Sequence, residues 1–186
     1  MVRGSKVQAK FMSRIVGIDL GTTNSLVATV DSGIPIVIAD AEGHRLTPSV
    51  VHVPAANAAS VVGHAANRVR VVKPAETVYS VKRFVGRRGS DISLEQMLVT
   101  YPVKGAGAGP VTFDIHGRSL TPEEISAEIL KKLKRDAEAC FGEPVVRAVI
   151  TVPVETQTQN AREAQHTIVY IENFFDELRR KAPTGK

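Results

Sequence analysis

The chain carries a single cysteine, Cys140, no tryptophan, and only 5% aromatic residues among its 186. One cysteine excludes an internal disulfide, and no paired Cys/His spacing suggests a zinc site, so the setting expected is a reducing cytoplasm. No run approaches the roughly 20 apolar residues that a membrane span requires. The opening MVRGSKVQAKFMSR is basic but lacks the apolar stretch of about 7–15 residues that marks a secretory signal. Sparse aromatics also leave the basic residues without the platforms on which single-strand binders stack bases. The net charge of +5 raises the question of an anionic partner, yet neither nucleic acid nor a membrane surface is expected.

The positions of the charges sharpen that reading. Arg3, Lys6 and Lys10 precede Met12 with no acid among them, and Arg179, Arg180, Lys181 and Lys186 crowd the other end. The intervening body is close to neutral, so the basic character belongs to the termini. Met12 stands just before Ser13-Arg14 and a strong strand pattern, which makes it an alternative start and 1–13 a basic extension. Hydrophobic residues at 43% and charged residues at 23% describe a globular chain, neither disordered nor fibrous.

Arg14–Leu20 (RIVGIDL) and Leu26–Val30 are apolar runs flanking Gly21-Thr22-Thr23-Asn24-Ser25. Asp31-Ser32-Gly33 supplies turn chemistry before a third run, Ile34–Ile38, and Ser49–Val53 reads as another strand. A short helix is expected near Ala65–Val71, a flexible link at Gly105–Pro110, a strand over Val111–Ile115 and a turn at His116-Gly117. The best-specified element follows: Thr121 caps a helix, Pro122 fits its first position and Glu124 completes a capping box. Ile125, Ile129, Leu133, Ala137 and Cys140 recur along it at helical spacing, and Gly142 ends it. Val145–Val152 is a β-branched strand stopped by Pro153. Strands followed by a helix that returns to a strand indicate a mixed α/β fold.

The segment with chemical content is Gly17-Ile18-Asp19-Leu20-Gly21-Thr22-Thr23-Asn24-Ser25. A carboxylate at a strand end, a glycine-permitted reversal, then hydroxyls and backbone N–H groups can wrap phosphate oxygens beside a hydrated magnesium ion. By composition alone it is equally a hairpin whose Asp and Thr residues satisfy turn hydrogen bonds. The glycines at 105–109 lack the strand-to-helix context of a dinucleotide loop, and no Gly-x-x-x-x-Gly-Lys-Ser/Thr occurs.

IVGIDLGTTNSLVA resembles the first phosphate loop of the heat-shock protein 70 chaperones, within the actin, sugar kinase and heat-shock ATPase superfamily. The resemblance continues through AEGHRLTPSVV, VVGHAANRVRVVKPAETVYSVKRFVGRR, LTPEEISAEILKKLK and AVITVP, covering Arg14 to Pro153. It implies an incomplete actin-like (ribonuclease H-like) ATPase lobe, formed by 14–48 and 119–153, with a small α/β subdomain inserted at 49–118. It implies that Asp19 acts on magnesium through water, that Gly21, Thr22, Thr23 and Asn24 hold the phosphates of ATP or ADP, and that Lys82 is catalytic beside the terminal phosphate. Without the resemblance, Lys82 would read as one surface cation among Arg83, Arg87 and Arg88. Pro153 matches a proline that couples nucleotide state to a substrate domain, or simply ends a strand. Unfolded polypeptides, a J-domain co-chaperone and a nucleotide exchange factor are the partners the resemblance implies.

Past Pro153 the likeness is expected to stop, with 154–186 an unplaced tail: the spacing of Ile168, Ile171, Phe174, Phe175 and Leu178 fits the apolar face of a short helix, a core-capping helix, a frayed tail and an out-of-frame or fused end are all compatible, and an unnatural or degenerate end is favoured. Arg162 lies one residue out of register for a family role. The second phosphate loop and the adenosine pocket of the family are absent from these 186 residues, so efficient hydrolysis by this polypeptide alone is not expected. A half-built lobe should also leave apolar surface at Val145–Val152 uncovered. Two other readings stand beside a chaperone ATPase fragment: a sugar-kinase-like relative, and a non-catalytic interaction module built on the region from Ser49 to Arg118. TPSVV and SVKRFVGRR favour the chaperone.

Overall fold

The computed structural model describes residues 14–55, 58–93, 98–105, 107–153 and 166–172. Chain order begins with strands β1 (Ile15–Asp19), β2 (Asn24–Asp31), β3 (Ile34–Val37), β4 (Thr47–Pro48), β5 (Val50–His52) and β6 (Val61–Val62). Helix α1 (His64–Val69) and strands β7 (Thr77–Tyr79), β8 (Val103–Lys104), β9 (Thr112–Ile115) and β10 (Arg118–Leu120) follow. Helix α2 (Pro122–Phe141) then leads to β11 (Arg147–Pro153) and β12 (His166–Glu172).

The largest sheet runs β12-β11-β1-β2-β3, with β4 attached to β2. β1 and β11 are parallel, and their neighbours are antiparallel. The β2–β3 hairpin turns at Ser32 and Gly33, both with positive φ, so that its two central residues match the strand twist. The remaining strands form two small sheets, β6-β5-β7 and β10-β9-β8.

α2 forms for the reasons legible in its sequence. Thr121 Oγ1 accepts from the Glu124 N–H at 3.1 Å, the Glu124 carboxylate accepts from the Thr121 N–H at 2.7 Å, and Gly142 closes the helix at φ 67°. Such a cap is worth about 1 kcal/mol. Ile125, Ile129, Leu133 and Ala137 are buried in one core with Val16 and Ile18 of β1, Val27 of β2 and Ala148 and Ile150 of β11. Cys140, assigned to that stripe from its spacing, is exposed; the stripe ends one turn earlier.

Three other expectations are corrected. Gly105–Pro110 is no free link: Gly89 N–H donates to Gly109 O and Ser90 N–H to Gly107 O, while a Cβ on Gly105 would lie 2.3 Å from Pro110 O. Ile168 and Ile171 belong to a strand, not a helix, because β12 pairs along all of β11; Phe174, Phe175 and Leu178 lie outside the described residues. That pairing also covers the β11 edge expected to be bare, and Val145, Ala148 and Ile150 are buried. Exposed apolar side chains cluster instead at the β2–β3 end, at Val30, Ile34 and Ile36.

Beside the core, Asp40 organises the loop after β3. Its carboxylate accepts from the backbone N–H groups of Glu42 (3.1 Å) and His44 (2.8 Å), lies 3.3 Å from His44 Nδ1, and faces Lys132 Nζ of α2 at 3.6 Å. Burial alone would raise its pKa, but the His44 N–H, the Lys132 ammonium and the His44 ring outweigh it and hold the carboxyl below its ordinary 3.8. A carboxylate so depressed stabilises the fold fully above that ordinary value, and the contribution is lost as pH falls through the lower folded-state value. The melting-temperature gap between wild type and Asp40→Asn is therefore expected to be widest near neutrality and to close below about pH 4. A gap that widens on acidification would refute this assignment.

Candidate functional site

β1 ends with Asp19, exposed to solvent, between its register partners Leu26 of β2 and Thr151 of β11. Alternation along β1 buries Val16 and Ile18 and turns Asp19 outward. Thr151 Oγ1 donates to Asp19 Oδ1 at 3.3 Å, which orients the carboxylate and leaves its other oxygen to solvent. An exposed carboxylate with a hydroxyl neighbour suits a hydrated, oxygen-preferring cation held through water.

Between β1 and β2 the chain reverses within Gly21-Thr22-Thr23. A Cβ on Gly21 would lie 2.0 Å from the carbonyl oxygen of Asn24, so only glycine permits this closure. The loop is anchored from behind by Ser49, which is buried. Its hydroxyl donates to Gly21 O at 2.8 Å, lies 2.9 Å from the Ser25 hydroxyl, and its N–H donates to Thr23 O at 2.9 Å. With the backbone pinned by these bonds, the Thr22, Thr23 and Asn24 side chains make no hydrogen bond among the described residues.

Lys82 reaches this loop from far along the chain. It sits on the short turn Val81–Arg83, which Val81 anchors in the core and which Ser80 enters in the left-handed region at φ 54°. Its ammonium donates to Leu20 O at 2.6 Å, on the residue that joins Asp19 to Gly21. The structure thus brings together Asp19, Gly21, Thr22, Thr23, Asn24 and Lys82: one carboxylate, a fixed loop with available donors, and one cation. The Asp91 carboxylate accepts from the backbone N–H of Arg88 at 3.2 Å. Pro153 closes β11, two residues past Thr151. Arg162 lies outside the described residues.

Two residues of the site were not singled out from sequence. Ser49 stands in the TPSVV motif, and the signal was a small hydroxyl directly after Thr47-Pro48 where a buried strand begins. Thr151 had no local signal; only the parallel register of β1 and β11 sets it against Asp19.

A protein-family model described as Hsp70 protein matches residues 15–169. Chaperone protein dnaK1 of Synechococcus elongatus is 46% identical over 156 residues, which are 82% of this chain and 24% of that protein. Chaperone protein dnaK1 of Synechocystis is 46% identical, and chaperone protein dnaK of Cyanophora paradoxa 47%, each over the same share of this chain. The chain thus spans about a quarter of the length of these relatives. The match passes Pro153 and reaches residue 169, so the likeness does not stop where the motifs do. Fold, loop and similarity agree that this chain belongs to the Hsp70 family, as an incomplete actin-like α/β ATPase lobe.

Proposed function

We propose that this chain binds the phosphates of ATP or ADP through Gly21–Asn24, with a magnesium ion held through water by Asp19, as part of a chaperone whose nucleotide cycle governs the grip on unfolded polypeptides. The observation that carries the reading is the Lys82 ammonium at 2.6 Å from Leu20 O, a cation delivered to a loop of uncommitted donors. When bound, magnesium would neutralise phosphate charge and orient the phosphate chain. The protein's own groups do the rest. The backbone N–H groups and hydroxyls of the loop bind phosphate oxygens, Thr151 keeps the Asp19 carboxylate facing the cation, and Lys82 sits where charge develops on a transferring phosphoryl group.

In the same reading 14–48 and 119–153 form the ATPase lobe, 49–118 is the inserted subdomain, and the protein works in the cytoplasm with a J-domain co-chaperone and a nucleotide exchange factor. Among the described residues no helix is long and apolar enough to cross a membrane. The 186 residues offer one phosphate loop, and phosphoryl transfer needs the phosphates clamped from several sides, so this polypeptide by itself turns ATP over slowly.

Titration calorimetry with magnesium ATP tests the proposal. Saturable heat is expected for wild type, weakened about tenfold or more in Lys82→Ala by loss of a charge-assisted contact. Absence of heat at millimolar magnesium ATP would sink the nucleotide reading and leave the interaction module standing.

A further inference from the structure

The loop between β3 and β4 gathers Asp40, Glu42 and His44, whose donor atoms all lie within 4.8 Å of one another. Among the described residues no other group of three or more His, Cys, Asp or Glu side chains is so placed. It escapes a search for paired cysteines and histidines because two of its donors are carboxylates. Asp40 is the fixed member. Its side chain is only 6% exposed, and its Oδ1 accepts from the N–H groups of Glu42 and His44, which leaves Oδ2 as the open donor. His44 Nδ1 lies 3.3 Å from both carboxylate oxygens. Two ligands of one tetrahedral zinc ion stand about 3.4 Å apart, so a shift of about 1 Å in the exposed Glu42 and His44 side chains closes a shell around such an ion.

The imidazole donor has a support from another element. The ring of His64, in α1, lies against His44 with centroids 4.0 Å apart and planes tilted by 31°. His64 is itself anchored, its Nε2 at 3.0 Å from Leu46 O, a carbonyl that only accepts, so that Nε2 carries the proton. Outer contacts of this kind orient a metal-binding ring before the ion arrives. Charge also favours a cation. Lys132 Nζ stands 3.6 Å from Asp40 Oδ2, but Asp136 holds it more closely, at 2.6 Å. Asp40, Glu42 and Asp136 together outnumber Lys132 and the adjoining Arg45. A nitrogen donor beside two carboxylates suits a borderline ion such as zinc better than magnesium or calcium, which prefer oxygen throughout.

We propose that Asp40, Glu42 and His44 bind one divalent transition-metal ion of the zinc type, with water completing the coordination and His64 bracing the His44 ring. The bound ion fastens the loop between β3 and β4, which already touches α1 through His64 and α2 through Lys132, and so stabilises the folded chain by mass action. The site shares no residue with Asp19, the Gly21–Asn24 loop or Lys82, and it does not rest on the nucleotide reading.

The test is calorimetric titration of the full chain with zinc chloride near neutral pH, without nucleotide, beside thermal melts with and without the metal. Saturable heat well below millimolar zinc is expected, together with a higher melting temperature at saturation. His44→Asn and Glu42→Gln, both at exposed positions, should each weaken zinc about tenfold or more and remove most of the melting shift, while the metal-free melts stay close to wild type. His64→Phe keeps a stacked ring without a donor nitrogen and should retain most of the affinity. A millimolar excess of magnesium should not compete. Unchanged zinc affinity in His44→Asn would overturn the proposal, as would displacement by magnesium or the absence of saturable heat up to millimolar zinc. A loss in His64→Phe as large as that in His44→Asn would overturn the three-residue ligand set.

Discussion

Gly21→Ala is expected to weaken magnesium-nucleotide binding about 100-fold or more while leaving the sheet intact. The added methyl would sit 2.0 Å from Asn24 O, a backbone atom that cannot swing aside as a side chain would. Relief requires opening the reversal between β1 and β2. That opening breaks the bonds by which Ser49 fixes Gly21 O and Thr23 O, so the donors of Thr22 and Thr23 lose their common aim. Two misplaced hydrogen bonds to a charged phosphate, at about 1.5–3 kcal/mol each, account for the loss in affinity. The strands themselves are held by Val16, Ile18 and Val27 in the core and should melt within a few degrees of wild type. Calorimetry with magnesium ADP beside a thermal melt reads both quantities. Near-wild-type affinity would mean that the loop is not the phosphate cradle.

Ser49→Ala provides a graded comparison, since it removes two side-chain contacts without adding bulk. An intermediate loss is expected from the same geometry. The contrast separates loss of aim from steric blockage.

Some elements are legible from local signals alone. α2 carries its start, stop and buried stripe in its own residues, and the β2–β3 turn lies in Asp31-Ser32-Gly33, so each follows from spacing and turn chemistry. The loop was legible as a candidate because Gly and Thr follow a strand-ending Asp, yet its chemistry stayed ambiguous. The missing term was the cation: Lys82 is 62 positions from Leu20, and no local pattern encodes that approach. β12 failed for a related reason. HTIVYIE contains apolar residues at both strand and helix spacings, and what decides between them is the vacant edge of β11, a partner remote in sequence. The two-residue strands β4, β6 and β8 likewise exist only through their pairings. The glycines at 105–109 misled in the opposite direction: their composition suggests freedom, while the bonds to Gly89 and Ser90 fix the segment.

Phe113→Ala is expected to cost about 3–5 kcal/mol of stability. The ring is fully buried in β9 and stands edge-on to Phe84 (centroids 5.5 Å apart) and to Tyr101 (5.2 Å), which in turn meets Tyr79 at 5.4 Å. In a chain so poor in aromatics these four rings join elements that share no strand pairing: β7, the turn bearing Lys82, and the sheet of β8, β9 and β10. Removing the central ring leaves a cavity that Leu120 and Val103, its register partners, cannot fill, and forfeits two edge-to-face contacts of about 0.5–1.5 kcal/mol each. Against a typical total of about 5–15 kcal/mol the loss is severe, and a fall in melting temperature of about 10 °C is expected. The consequence reaches the site, because Phe84 follows Arg83 directly and its seat sets the position of Lys82 near Leu20 O. Phe113→Leu, which refills much of the volume, should recover most of the stability. Differential scanning fluorimetry with magnesium ADP titration decides the matter: a shift of only two or three degrees, with nucleotide affinity intact, would show that the aromatic row does not carry the lysine.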